Sequence, residues 1–168
     1  MSAKKAAPIP QGADPENTLI IETAPGRIVI KLRNDLAPGH AERLKLLARE
    51  RFYDDVPFHR VIDGFMAQTG DGEKGDGTGG SSHPDLKAEF SDAPFERGTV
   101  GMARKGGNNH SANSQFFIMF DDGSFLNRQY TVVGEVINGM DVVDKLKRGE
   151  PPADPDRIIR MQVAADLE

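Results

Sequence analysis

Arg60 is the residue whose setting in this sequence first suggests chemistry. It lies in FHRVIDGFMAQTGD, residues 58–71, where most of its neighbours are apolar. Long cationic side chains are seldom placed among Phe, Val, Ile and Met without a partner or a task. Two interpretations of Arg60 are therefore open: a structural ion pair, or a cation that acts beside an apolar pocket.

Two short segments combine phenylalanine and methionine with glutamine. FMAQ carries Phe65, Met66 and Gln68, and SQFFIMF carries Gln115 and Phe117. In a β-strand Met66 and Gln68 share one face, and so do Gln115 and Phe117. Some of these rings must fill the core, but a buried amide needs hydrogen-bond partners and does not suit a dry interior. The pattern favours an apolar groove edged by polar groups, as in a peptide-binding surface.

Other catalytic arrangements are weakly supported. GDGEKG, residues 70–75, matches a dinucleotide-binding glycine pattern, but no apolar helix follows and its acids would repel phosphate, which favours a flexible surface loop. Ser114 lacks the G-x-S-x-G elbow of a nucleophile. Glu89 and Asp63 resemble ordinary surface or turn acids, because neither has an apolar setting that would raise its pKa. The four histidines are too scattered for a metal site, and no cysteine is present, so neither metal nor cofactor is predicted.

The composition is that of an ordinary globular chain of 168 residues. Its 26 acidic and 21 basic residues give a formal net charge of −5 without a basic block, which argues against a nucleic-acid partner. The lack of cysteine fits a reducing compartment, and no segment approaches the ~20 apolar residues of a membrane span. The N-terminus has no apolar signal-peptide region, and no strong exposed apolar stripe is left unassigned. We therefore expect a cytoplasmic monomer without a membrane partner.

The elements that must position these residues are short strands and two helices. Residues 27–32 alternate in polarity, and Pro25-Gly26 separates them from residues 18–23 at the positions of a turn, which predicts a β-hairpin. Apolar spacing predicts one helix that opens at Pro38 and runs to about residue 52, and a second over residues 139–149.

Most of the remaining chain consists of short β-like runs separated by glycine and proline. These runs are residues 59–63, 64–68, 98–103, 114–120, 130–137 and 157–164. Many short strands with two helices suggest a closed or nearly closed antiparallel sheet. The composition of residues 1–17 predicts a disordered tail, and residues 18–168 are expected to form a single domain without internal repeats.

Three long segments resemble the cyclophilin-type peptidyl-prolyl cis/trans isomerases, in particular the shorter bacterial members. They read FHRVIDGFMAQTGDGEKGDGTGG, GTVGMARKGGNNHSANSQFFIMF and FLNRQYTVVGEVINGMDVVDKLK, and the likeness runs in order from about residue 18 to the C-terminus. The resemblance implies a mainly β fold, a closed eight-stranded antiparallel β-barrel capped by two α-helices, with the active groove on its outer face. It also implies an enzyme that accelerates rotation about X–Pro bonds in peptides and folding proteins without a cofactor.

By this resemblance Arg60 is the catalytic arginine. The resemblance places the pocket for the substrate proline at Phe65, Met66, Phe117 and Leu126, its polar edge at Gln68 and Gln115, and the segment that aligns the peptide at Ala103 and Arg104. Phe125 stands where the best-known eukaryotic members have a tryptophan that donates to cyclosporin, so we expect weak cyclosporin binding with isomerase activity retained. Tyr130 stands where those members have a histidine, so the resemblance implies that the pocket wall is kept with a different polar tip. Arg104 stands where asparagine is common, which should tune substrate preference.

The chemistry of X–Pro rotation agrees with this assignment. The barrier is ~18–20 kcal/mol because amide resonance must be broken, yet no bond is made or cut. As resonance is lost the proline nitrogen gains a lone pair, to which the permanently charged fork of Arg60 can donate. Two alternatives stay open: a non-catalytic proline-peptide binding module or chaperone on the same fold, and a nucleotide-binding protein that uses the glycine loop.

Overall fold

The computed structural model of the protein describes residues 9–10 and 12–167. Its strands are β1 (Thr18–Thr23), β2 (Gly26–Leu32), β3 (Val56–Pro57), β4 (Arg60–Ile62), β5 (Met66–Thr69), β6 (Thr99–Met102), β7 (Phe116–Met119), β8 (Val132–Asn138), β9 (Arg157–Ile158) and β10 (Arg160–Val163). The helices are α1 (Pro38–Arg49) and α2 (Met140–Val143). The predicted mainly β fold with two helices is confirmed, as is the first hairpin, β1–β2.

Eight strands form one antiparallel sheet in the order β10-β1-β2-β8-β6-β7-β5-β4, while β3 and β9 pair separately. The predicted closed barrel is not confirmed, because β10 and β4 are the two ends of this curled sheet and do not pair with each other in the described residues. Strand β4 is only three residues long, and its outer edge is occupied by a loop residue. Gly149 forms an isolated antiparallel bridge with Val61 there.

The pleat of β4–β7 divides their side chains between two faces. Val61, Ala67, Ile118 and Val100 are aligned across β4, β5, β7 and β6. All four are almost fully buried in the main hydrophobic core. The alternate residues of the same strands point to the opposite face, away from that core.

Helix α1 covers part of this core. It begins at Pro38, as predicted, because a residue without an N–H suits the first helical turn. Leu44 and Leu47 lie on its buried face. The helix ends at Arg49, slightly earlier than predicted, and Arg51 follows with a left-handed φ of 61° that stops the helix.

Helix α2 is a single turn, Met140–Val143, so the prediction of a helix over residues 139–149 is wrong in length. The apolar spacing continues, but the backbone tightens. The N–H groups of Lys145 and Leu146 donate to carbonyls three residues back, in the manner of a 3₁₀ turn. Gly149, at the end of the predicted helix, instead pairs with β4.

The predicted N-terminal tail lies partly outside the described residues, which leave out residues 1–8 and 11. Pro15–Asn17 form a 3₁₀ turn immediately before β1. Lys45 Nζ on α1 donates to Asn17 Oδ1 at 3.1 Å, so this turn contacts the helix. The division into a tail and one domain stays a prediction. Neither described helix provides the long apolar stretch that a bilayer crossing requires.

Candidate active site

The outer face of β4, β5, β7 and β6 places predicted site residues in one row. Arg60 pairs with Gln68, Gln68 with Phe117, and Phe117 with Gly101. Paired residues of antiparallel strands share a face, so these four positions form a continuous strip. A Cβ at Gly101 would lie 2.6 Å from Phe117 Cζ. Glycine at this position therefore leaves the space in which the Phe117 ring lies over β6.

Apolar side chains on this face form a cluster of their own. Its buried members are Met66, Phe95, Phe117, Met119, Leu126 and Val132, and Phe65, Ala103 and Tyr130 pack against it. Phe117 stacks on Phe95 with ring centroids 5.8 Å apart, and meets Tyr130 edge-on at 5.7 Å. The predicted pocket residues are thus brought together. Phe95, which supports Phe117 from below the pocket rim, was not predicted, because it lies in a loop without periodicity.

Phe125 lies at the rim of this pocket. The 3₁₀ turn Ser124–Leu126 directs Leu126 into the apolar cluster and leaves Phe125 69% exposed. Its ring centroid lies 5.6 Å from that of Phe65. Phe125 therefore offers apolar surface at the rim but no hydrogen-bond donor.

Arg60, Gln68 and Gln115 form a chain of hydrogen bonds along the polar edge. Gln115 Nε2 donates to the carbonyl oxygens of Gly77 and Gly79, at 3.0 and 2.8 Å. Since carbonyl oxygens only accept, the Oε1 of Gln115 is turned to Gln68, whose Nε2 donates to it at 2.9 Å. Gln68 Oε1 then accepts from Arg60 Nη1 at 3.4 Å. The loop carbonyls therefore fix the orientation of both amides and present an acceptor to Arg60.

The ion pair of Arg60 lies at the protein surface. Its Nε donates to Glu150 Oε1 at 3.2 Å, with the two side chains 43% and 57% exposed. An exposed pair contributes only about 0–1 kcal/mol to stability, so folding does not depend on it. Of the five N–H donors of the guanidinium, three have no partner among the described residues. Arg60 is thus both an ion-pair residue and a cation open to the groove.

The glycine-rich loop, residues 70–80, is held by the buried carboxylate of Asp71. That carboxylate accepts hydrogen bonds of 2.8–3.3 Å from the backbone N–H groups of Glu73, Lys74, Asp76, Gly77 and Gly79. Burial raises the pKa of Asp71, but the backbone donors outweigh it and lower the pKa to about 2. The sequence predicted a flexible surface loop, but these hydrogen bonds hold its centre in place. An aspartate followed by several glycines was the available signal, because aspartate bonds to backbone N–H groups in turns.

A cavity of about 410 Å³ lies between this loop and the polar edge. Gln68, Gln115 and Ala103 line one side of it, and residues 77–81 line the other. It continues the groove beyond the apolar pocket. In the part of the chain that the structure describes, no group of three or more His, Cys, Asp or Glu side chains could hold a metal ion.

Arg104 and Tyr130, two departures from the family pattern, contact each other. The guanidinium carbon of Arg104 lies 4.3 Å from the centroid of the Tyr130 ring, and its Nε donates to the Gln129 carbonyl at 3.2 Å. The Ala103 N–H donates to the Gln115 carbonyl at 3.0 Å. The 103–104 segment is thereby fixed between the polar edge and the outer wall of the pocket.

Glu89, expected to be an ordinary acid, binds the first turn of α1. Its carboxylate accepts from the backbone N–H groups of Gly39 and His40, at 3.2 and 3.0 Å, and contacts His40 Nδ1. Its own N–H donates to Thr131 Oγ1 at 2.9 Å. Burial lowers the pKa of His40, although its bond to Glu89 opposes this. Glu89 therefore joins α1 to the segment beside Tyr130. The sequence pattern does not reveal this contact, because it joins residues far apart in the chain.

Comparison with known proteins gives a consistent result. Residues 18–163 match the family described as cyclophilin type peptidyl-prolyl cis-trans isomerase/CLD. A probable peptidyl-prolyl cis-trans isomerase of Brucella suis biovar 1 is 56% identical over 171 residues, covering 93% of this chain and 87% of that protein.

Two crystal structures are similar to the fold. A cyclophilin from Hirschia baltica has a TM-score of 0.86 and 29% identity, covering 93% of this chain and 77% of that one. A Cryptosporidium parvum cyclophilin type isomerase, solved in the presence of the dipeptide Ala-Pro, has a TM-score of 0.80 and 24% identity, covering 87% of this chain and 98% of that one. The family match, the relative and the shared fold agree: the chain belongs to the cyclophilin-type peptidyl-prolyl cis-trans isomerases.

Proposed function

We propose that this isomerase accelerates rotation about X–Pro bonds in peptides and folding proteins, with Arg60 as its catalytic residue. The observation that carries the proposal is the position of Arg60, whose guanidinium has unpartnered N–H donors at the edge of an apolar pocket. A site of this kind can bind an apolar ring and donate to a polar atom next to it. It needs no nucleophile, because no bond is made or cut.

The apolar pocket would bind the proline ring. Met66, Phe117 and Leu126 are almost fully buried and form its base, while Phe65 and Phe125 meet at its rim. Fixing the ring while the preceding carbonyl rotates lets the groove favour the twisted amide over either planar isomer.

Arg60 would act at the moment when the amide resonance of the X–Pro bond is lost. The nitrogen lone pair then becomes an acceptor, and a guanidinium already held by Gln68 can donate to it without reorganisation. Gln115 supports this orientation through Gln68, and the 103–104 segment would align the peptide backbone along the cavity.

The proposed partners are proline-containing peptides and unfolded or folding proteins. The Cryptosporidium parvum relative solved with Ala-Pro supports the proline-peptide part. Cyclosporin would bind weakly, because Phe125 lacks a donor. The cytoplasmic location, the monomeric state and the absence of nucleic-acid and membrane partners stay predictions.

The test is kcat/KM for isomerisation of an X–Pro peptide by wild type, Arg60→Ala and Arg60→Lys. We expect about 10²-fold lower values for both variants, because loss of one pre-oriented donor typically costs that much. Thermal unfolding should change little. The control is Arg97→Ala, which removes a similarly exposed arginine paired with Asp144 outside the groove. Near-normal rates for both Arg60 variants would sink the assignment. A wild-type protein that binds the peptide without accelerating exchange would instead be the binding module or chaperone.

A further inference from the structure

Glu150 lies next to Arg60 because the backbone of the preceding residue, Gly149, is hydrogen-bonded to strand β4. The Val61 N–H donates to the Gly149 carbonyl and the Gly149 N–H donates to the Val61 carbonyl, both at 2.8 Å. Gly149 has φ 144°, and a Cβ there would lie 2.6 Å from Pro152 Cα. The residues that precede and follow Glu150 are therefore held in one tight turn.

The rest of this loop is tied to the same region of the molecule. The Phe58 N–H, two residues before Arg60, donates to the Asp156 carbonyl at 2.8 Å. The Lys147 N–H donates to the Asp156 carboxylate at 2.9 Å. The loop that carries Glu150 is thus fastened on both sides of Arg60, at Phe58 and at Val61.

Glu150 and Gln68 hold the guanidinium at two different nitrogens. Glu150 accepts from Nε at 3.2 Å, and Gln68 accepts from Nη1 at 3.4 Å. A planar guanidinium with acceptors at two of its nitrogens has its plane defined, so the directions of the remaining three N–H bonds are defined as well. A single acceptor would leave that plane free to turn.

We propose that Glu150 is a positioning residue for the isomerisation, holding the Arg60 guanidinium in the orientation in which its free N–H groups meet the substrate. The proposal rests on the proposed function of Arg60. Glu150 itself need not touch the peptide. Its effect on the rate passes through Arg60, and this distinguishes it from an ordinary surface ion pair.

The first test compares kcat/KM of wild type, Glu150→Ala and Glu150→Gln. An exposed pair of this kind corresponds to about a two- to fivefold effect, so we expect that loss in Glu150→Ala. Glu150→Gln should stay near wild type, because its amide oxygen can still accept from Nε. The control is Asp63→Ala, which removes another exposed carboxylate of this edge, paired with Arg148 at 3.0 Å. It should leave kcat/KM unchanged.

The second test places Glu150→Ala in an Arg60→Ala background, at enzyme concentrations that keep the residual rate measurable. We expect no further loss, since the residue through which Glu150 acts is gone. The same loss in both backgrounds, unchanged or faster turnover in Glu150→Ala, or an equal loss in Glu150→Gln would each overturn the proposal. Full activity of Arg60→Ala alone would instead overturn the role of Arg60, so the two failures are distinguishable.

Discussion

Replacing Asp71 by asparagine removes the charge at the centre of the glycine-rich loop while keeping the size of the side chain. Asparagine has one acceptor oxygen, whereas both oxygens of Asp71 accept. In Asp71→Asn an amide NH₂ would therefore face the backbone N–H groups of Gly77 and Gly79, or those of residues 73–74. Whichever set loses its acceptor is left with N–H groups that face the amide NH₂ instead of a carboxylate oxygen.

The expected loss of stability follows from the pKa of Asp71. Backbone donors outweigh burial and lower it from the ordinary 3.8 to about 2. Each pH unit of pKa difference corresponds to ~1.36 kcal/mol, so the folded state favours the charged carboxylate by roughly 2 kcal/mol. We expect Asp71→Asn to lower the free energy of unfolding by about that amount at pH 7.

The pH dependence has a definite sign. Because the folded pKa lies below the unfolded one, the charged carboxylate contributes its full stability above about pH 4 and loses it as pH falls through about 2. Denaturant unfolding of both proteins at pH 7, 4, 3 and 2 should thus give a difference that is largest at pH 7 and shrinks on acidification. A constant difference, or equal stability at pH 7, would refute the reasoning.

The same variant should impair catalysis indirectly. Gly77 and Gly79 orient Gln115, which orients Gln68 and hence Arg60. A displaced loop releases this chain, so we expect kcat/KM to fall roughly tenfold, less than on removal of Arg60 itself. Asp76→Asn is the control, because the Asp76 carboxylate lies in the same loop but accepts from Thr78, while the bond of this residue to Asp71 comes from its backbone N–H and survives the substitution.

Two further results are expected at the groove. Gly101→Ala would force a Cβ against Phe117. We expect the free energy of unfolding to fall by roughly 1–3 kcal/mol and a proline peptide to bind more weakly. Both are measured against Gly106→Ala, whose site has open space. Phe125→Trp adds an indole donor at the rim and should tighten cyclosporin binding. The chain has no other tryptophan, so fluorescence titration measures the cyclosporin affinity of the variant, and competition binding measures that of wild type. Equal affinities would contradict the assignment of Phe125.

The strands and their faces could be predicted because alternation is local. Met66 and Gln68 share a face in the structure, and Gln115 is joined to that face through its amide. Which strands lie side by side depends on pairing across the whole chain. The row from Arg60 to Gly101 therefore became visible only from the strand register in the structure, although the family resemblance had already named most of its members.

What the sequence did not reveal are contacts between distant segments. Glu150 is 90 residues from Arg60, and nothing near either residue indicates the other. Asp71 was visible only as one of several loop acids, and Glu89 as a surface acid, because both bind backbone N–H groups that local polarity does not mark. The length of α2 was overestimated for a related reason: the apolar spacing continues while pairing at Gly149 draws the chain to β4.

The division of β4–β7 into a core face and a groove face bears on how members of this family can diverge. One inserted or deleted residue in any of these strands would exchange its two faces, burying Arg60 or exposing Val61, for example. Substitutions of exposed residues on the groove face leave the main hydrophobic core untouched. New substrate preferences should therefore arise by exchanging outward residues such as Arg104 and by changing loop lengths, while the lengths of the four strands stay constant.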